Sequence, residues 1–301
     1  MHHGKRRFIA GFLVAPLLLY VVFVVSPYLQ AFYIAMTDWQ GFTANPNFIG
    51  LDNFVRLFHD PLFWEALWHN LLLLLLFPAV TVVLGLFFAF MLNVAGGRGA
   101  GISGVRGSGF YRVVYFFPYV LSLAIIAILW RFIYHPRIGL LNGFLDAVGL
   151  DWLSKAWLGN DATALPAIIF VLIWYAVGFY VVFFTAGMKT IPTDLYEAAR
   201  IDGAGRAQTF FRITLPLLWD GIQTALVYMC IMALDAFVVV QIMTDGGPDN
   251  ATNVISLYLY NTAFEYSQFG YASAMGVALF LLTLSLAAIV IRMTRRERIE
   301  F

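Results

Sequence analysis

The 301 residues are 61% hydrophobic and only 12% charged, with a mean hydropathy of +0.81. A soluble chain keeps about a quarter of its residues charged to cover its surface, so the composition excludes a soluble globular domain and predicts a chain that lives in a bilayer. The net charge of +1 gives no global field to recruit nucleic acid, and the single cysteine, Cys230, excludes an internal disulfide framework.

Lys5, Arg6 and Arg7 precede the first apolar run, which covers 8–37 without an Asp, Glu, Lys or Arg. It is too long for a cleaved export signal and lacks a small-residue cleavage site, so it reads as a membrane span. The loop behind it carries Asp38, Asp52, Asp60 and Glu65 against Arg56. Further spans follow at about 71–94, 113–130, 162–188, 217–243 and 271–291, each near the ~20 residues that a helix needs to cross the hydrocarbon core. The third is the shortest and holds Pro118. None of these runs shows the polar–apolar alternation of a barrel strand, so the expected class is all-α and polytopic.

The connecting loops alternate in charge. Arg98, Arg106 and Arg112 follow the second span without an acid, and the loop after the third span is balanced. Lys189, Arg200, Arg206 and Arg212 follow the fourth span, whereas only Asp245, Asp249 and Glu265 follow the fifth. The tail holds Arg292, Arg295, Arg296 and Arg298. Basic loops face the cytoplasm, so the pattern predicts six transmembrane helices with both termini cytoplasmic. Gly99, Gly101 and Gly104 match a GxGxxG spacing, but between two membrane helices they read as a linker and not as a dinucleotide site. Asn250-Ala251-Thr252 is a formal glycosylation acceptor. The histidines at 2, 3, 59, 69 and 135 have no metal-ligand spacing, and no GxxxxGK[S/T] loop for ATP phosphates occurs.

The cytoplasmic loop 189–216 differs from the others. Pro192 can open a helix and Asp194 suits the positive end of its dipole. Gly203 suits the left-handed residue that closes it, giving a helix of Pro192 to Asp202. On helical spacing Leu195, Ala198, Ala199 and Asp202 share one side, with Tyr196 and Arg200 beside it. The paired alanines permit close approach of another backbone. An ordinary surface helix between two spans has the same features.

Glu197-Ala198-Ala199, three residues, Gly203, nine residues and then Ile213-x-Leu215-Pro216 resembles the signature loop of ABC importer permeases. The resemblance implies the type I importer permease fold, in which the short helix is a coupling helix docked on a cytoplasmic ATPase subunit. Glu197, Ala198, Ala199, Asp202 and Gly203 would carry that role, with Gly203 acting equally well as a turn. Trp130 to Pro136 with Gly139 to Asn142, Thr244 to Thr252, Tyr258 to Phe264 and Gly270 to Ala274 resemble the carbohydrate-uptake branch, including maltose- and glycerol-3-phosphate-type permeases. The extra N-terminal helices or large external insertion of the bigger members are missing. The stretch His3-Gly4-Lys5-Arg6-Arg7-Phe8 is similar to amino-sugar or chito-oligosaccharide systems.

The partners so implied are a second permease, two ATPase subunits that hold ATP and magnesium, an extracellular solute-binding protein and a sugar. The implied location is the inner (plasma) membrane of a bacterium or archaeon, and the chain itself would be non-catalytic and hold no cofactor. Among intramembrane residues, Asp235 is the clearest ionisable group. It either lines the solute path or ties span five to a neighbour. Tyr228, Met232 and Asp235 recur at helical spacing, with Gln241 farther along. Trp174, Tyr175 and Tyr180 offer aromatic faces with polar tips, suited to a sugar ring. A self-contained secondary transporter or channel is the alternative, and it would require inverted repeats or several intramembrane charges. An integral membrane enzyme would need a catalytic cluster, which the sequence lacks.

Overall fold

A computed structural model describes residues 2–42, 45–94 and 108–294. Regular structure among them is helical, apart from one bridge between Thr37 and Phe48. The cytoplasmic glycines at 99, 101 and 104 and the arginines at 98, 106, 295, 296 and 298 lie outside the described residues.

The helices in chain order are α1 His2–Tyr20, α2 Ser26–Ile34, α3 Asp52–Phe58, α4 Pro61–Val94, α5 Ser108–Val120 and α6 Leu123–Ile133. They continue with α7 Leu140–Ala147, α8 Asp161–Met188, α9 Thr193–Ile201, α10 Arg206–Thr209, α11 Leu215–Leu217 and α12 Trp219–Leu234. The last are α13 Phe237–Met243, α14 Ile255–Phe264 and α15 Phe269–Thr294. Unbroken helices long and apolar enough to cross a membrane cover Gly11–Ile34, Pro61–Leu92, Asp161–Met188 and Phe269–Arg292. Two further crossings are bent pairs, Val113–Val120 with Leu123–Ile133 at 103° and Arg206–Leu217 with Trp219–Leu234 at 70°. Six spans result when each bent pair counts as one.

The departures from the expected boundaries have local causes. α4 begins ten residues before the expected 71, because the Asp60 carboxylate accepts the N–H of Leu62 at 3.0 Å and caps the helix start. The expected third span is broken, yet the helix runs through Pro118 to Val120. The break falls at Ser122, whose extended backbone (φ −60°, ψ 138°) starts α6. Span one stays helical through a π-helical stretch, Val21–Val25, in which the Ser26 N–H reaches the Val21 carbonyl. The same device recurs at Phe210–Thr214, where the Leu215 N–H reaches Phe210. In both places a proline follows at once, Pro27 or Pro216. Proline has no N–H and its ring crowds the carbonyl one turn back, so a widened turn keeps the helix going.

The chain divides into two compact units. The first comprises residues 1–63 and 258–282. Its small core is Ala35, Ala274 and Val277, with Phe32 and Phe54 against them. The buried Asn53 amide donates to the carbonyls of Ala35 (2.9 Å) and Thr37 (2.8 Å), tying α3 to the chain after α2. Asp60 accepts the hydroxyls of Tyr258 (2.6 Å) and Tyr271, and the Arg56 guanidinium lies 3.9 Å from the Tyr271 ring centre.

The second unit comprises residues 64–257 and 283–301. Leu73 and Phe77 of α4, Ile126 of α6, Ile168 and Leu172 of α8 and Met229 of α12 are fully buried in its core. α8 is the most enclosed span. It starts under an Asn160 cap that accepts the N–H of Ala162 at 3.0 Å, and it meets α5 where a Cβ on Gly178 would strike the Tyr115 backbone. The loop after α6 is organised by Asn142, which donates to the carbonyls of Pro136 (3.0 Å) and Lys155 (2.9 Å) and accepts from Trp157 (2.8 Å).

Candidate functional site

The cytoplasmic helix forms where the sequence places it, one residue shorter at each end. Pro192, with extended backbone (φ −55°, ψ 132°), is the residue before the helix, and Asp194 lies in the first turn. Asp202 closes α9 and Gly203 follows at φ +76°. The Gly203 N–H donates to Arg200 at 3.1 Å and the Ala204 N–H to Ala199 at 2.8 Å. These two bonds are the paired closure in which a left-handed residue lets the chain turn back over the last helical turn. The space around a Gly203 Cβ is open, so what the position demands is conformation and not room.

The expected shared face of α9 splits. Ala199 is turned inward and buried, whereas Glu197, Ala198, Leu195, Asp202 and Ile201 are exposed. The paired alanines therefore serve different surfaces: Ala199 packs within its own chain and Ala198 faces out. Ile201, 86% exposed, is a large apolar side chain in a solvent-facing loop. Tyr196 is half-buried and its hydroxyl meets the Thr214 hydroxyl at 3.1 Å. This bond joins the two halves of the loop signature and roots α9 at the widened turn that leads into span five.

Span five is not the continuous helix expected over 217–243. After the bend at its base, α12 ends at Asp235 (φ −100°, ψ 49°) and α13 restarts at Phe237. Asp235 thus lies at a helix break and not within an unbroken span. Its side chain is exposed in this chain, and its carboxylate makes no hydrogen bond among the described residues. Tyr228 (63% exposed) and Ile231 share the exposed face with it, while Met232 and Gln241 are half-buried.

The aromatic candidates of span four stand on α8. Trp174 packs edge-on against Trp130 of α6 at 5.3 Å, and Tyr175 lies 5.0 Å from Tyr119 of α5. Tyr180 is buried. Trp174, still partly exposed, and Tyr175 thus face α6 and α5. Tyr180 lies near enough to Cys230 and Tyr228 of α12 to interact electrostatically, and Tyr228 and Asp235 stand on the open face of α12.

Sequence reading missed the residues that hold the break. Asn70 of α4, fully buried, donates to the carbonyls of Ala233 and Leu234, both at 3.3 Å, and accepts the N–H of Ile255 at 2.9 Å. Next to it the ring of His69 meets the Asn253 carbonyl at 2.8 Å. The loop between α13 and α14 is itself tightly folded. Asp245, Gly246, Asp249 and Asn250 have left-handed backbones, and Thr252 bonds both Thr244 and the Gly247 carbonyl. A lone amide at the edge of an apolar run is the signal that could have drawn attention to Asn70.

Membrane-length helices with a short exposed helix rooted in a bent span are the architecture of an integral-membrane protein. Comparison with known proteins gives the family. The chain belongs to the binding-protein-dependent transport system inner membrane components, whose family description matches residues 7–299. It is 48% identical to the diacetylchitobiose uptake system permease protein NgcF of Streptomyces coelicolor, over 97% of this chain and 83% of that one. It is 32% identical to the sn-glycerol-3-phosphate transport system permease protein UgpA of Escherichia coli, over 96% and 94%. The same fold is seen in a bacterial alginate ABC transporter crystallised with an alginate pentasaccharide-bound periplasmic protein, at a TM-score of 0.83 and 24% identity over 97% and 96% of the two chains.

Proposed function

We propose that this chain is one of two permease subunits that together form the path for an oligosaccharide of the N-acetylated amino-sugar type, delivered by a solute-binding protein and driven by ATPase subunits docked on α9. The observation that carries the reading is the continuity from α9 to the open face of α12. The exposed Glu197, Ala198, Ile201 and Asp202 offer a docking surface. The Tyr196–Thr214 bond links it to the base of span five, whose far end carries Tyr228 and Asp235.

The substrate class is supported by the likeness to the diacetylchitobiose permease and by chemistry at the open face. A tyrosine ring packs on the apolar face of a pyranose, and a carboxylate accepts from its hydroxyl and amide groups. Asp235, exposed and without a hydrogen-bond partner among the described residues, suits the seam between two permeases.

Uptake of radiolabelled sugars by cells carrying or lacking this gene tests the substrate class. N,N′-diacetylchitobiose and N-acetylglucosamine are compared with maltose and glycerol 3-phosphate. Loss confined to the amino sugars is expected, and loss of maltose or glycerol 3-phosphate uptake alone would overturn that assignment. Within the path, Asp235→Asn keeps hydrogen-bonding capacity and should reduce uptake modestly, while Asp235→Leu should abolish it at normal complex yield.

A further inference from the structure

The end of α12 poses a problem that a membrane protein has to solve inside the chain. When a helix stops, its last carbonyls lose the N–H partners one turn ahead. In a continuous span five, Ala233 and Leu234 would bond the amides of Phe237 and Val238. The break at Asp235 removes those partners, and Ala233 and Leu234 are buried away from water that could replace them. The Asn70 carboxamide supplies the donor instead, reaching both carbonyls from the neighbouring span. Its oxygen takes the N–H of Ile255, the first residue of α14 and itself an orphan donor at a helix start. One fully buried side chain thus satisfies unpaired groups at two helix ends.

We infer that Asn70 is a positioning residue, which keeps span five broken at Asp235 and so sets how the Asp235 side chain is presented. Without the amide, the shortest route by which Ala233 and Leu234 regain partners is to rewind the helix through Asp235 and Ala236. Asp235 already stands at helical spacing from Tyr228 and Ile231, so rewinding keeps its face but brings Val238 and Val239 one turn on, where their side chains lean back over residue 235 and shield it. The importance for transport rests on the proposed path. The geometric control over residue 235 does not.

The test reads residue 235 directly. In the assembled transporter, with Cys230→Ser as background, Asp235→Cys is labelled from the outside with a water-soluble methanethiosulfonate. Trp152→Cys, at a side chain 75% exposed in the loop after α7, is the reference. Asn70→Leu retains volume and removes donor and acceptor together. It is expected to change the labelling rate at position 235 by about fivefold or more, while the reference thiol keeps its rate. An unchanged rate at 235, or an equal change at both thiols, overturns the inference. If Asn70→Leu does not reach the membrane, Asn70→Ala carries the same test with the same outcomes, since it too removes donor and acceptor and adds no bulk. Failure of the path reading has a separate signature, normal sugar uptake in Asp235→Leu with the labelling still governed by Asn70.

Discussion

At Gly203 the backbone is left-handed with open space around it, which separates a conformational requirement from a steric one. A left-handed residue with a Cβ costs roughly 1–2 kcal/mol, and asparagine tolerates that region better than other side chains. Gly203→Asn should therefore keep most solute-stimulated ATP hydrolysis in the assembled transporter, while Gly203→Val should lose most of it. Equal loss in both would show that the position is a contact and not a turn. Asp60, at the start of α4, is a matching case. Burial opposes its charged form, but hydrogen bonds from Tyr258 and Tyr271 and from the amides of Leu62 and Phe63 outweigh it and hold its pKa below the ordinary value. A lowered pKa in the folded state adds stability above the unfolded-state value, and that contribution disappears as pH falls through the folded value. Asp60→Asn should thus lower the melting temperature near neutral pH, and the gap from the parent should close below about pH 4. A gap that stays constant down to about pH 3 would show that charge is irrelevant to this clasp.

Among the elements, those written in local chemistry were legible and those built from distant partners were not. The span positions followed from uncharged runs, and α9 followed from Pro192, Asp194 and Gly203 within one turn of its ends. The breaks at Ser122 and Asp235 left no comparable mark, since both lie inside apolar sequence. The partner that stabilises the second break, Asn70, is separated from Ala233 by 163 positions. Pro27 and Pro216 were visible, but whether a proline kinks a helix or is absorbed by a widened turn depends on packing around it. The α5–α8 contact has a similar character. Gly178 reads as an ordinary glycine in a span, yet an added Cβ would meet the Tyr115 backbone, which cannot rotate aside as a side chain can. Gly178→Ala should destabilise the detergent-purified protein by about 1–3 kcal/mol, the usual scale of overpacking, read as a lower thermal midpoint. An unchanged midpoint would mean that the two helices can separate at little cost.

At the scale of the whole molecule, the proposed coupling at α9 and the proposed solute path at Asp235 require a structural link along span five. Its base is fixed to α9 by Tyr196 and Thr214, and its outer end is fixed to α4 and α14 by Asn70. A push on α9 therefore has a continuous hydrogen-bonded and helical route to the break at Asp235, with the 70° bend at Leu218 as the place where direction changes. In the proposed transporter the work comes from the ATPase subunits docked on α9. The sequence contains no phosphate-cradling GxxxxGK[S/T] loop, and the exposed acidic and apolar surface of Glu197, Ile201 and Asp202 is suited to a protein partner. Two consequences can be measured together in proteoliposomes. The purified chain alone should show no saturable binding of a fluorescent ATP analogue. In the full complex, Glu197→Lys should leave assembly intact while solute-stimulated ATP hydrolysis and uptake fall in parallel, since reversing a charge at a docking surface replaces attraction by repulsion. Specific nucleotide binding by the isolated chain would overturn the division of labour. Normal uptake by Glu197→Lys would instead mean that α9 is an ordinary surface helix, and that work enters span five by some other contact.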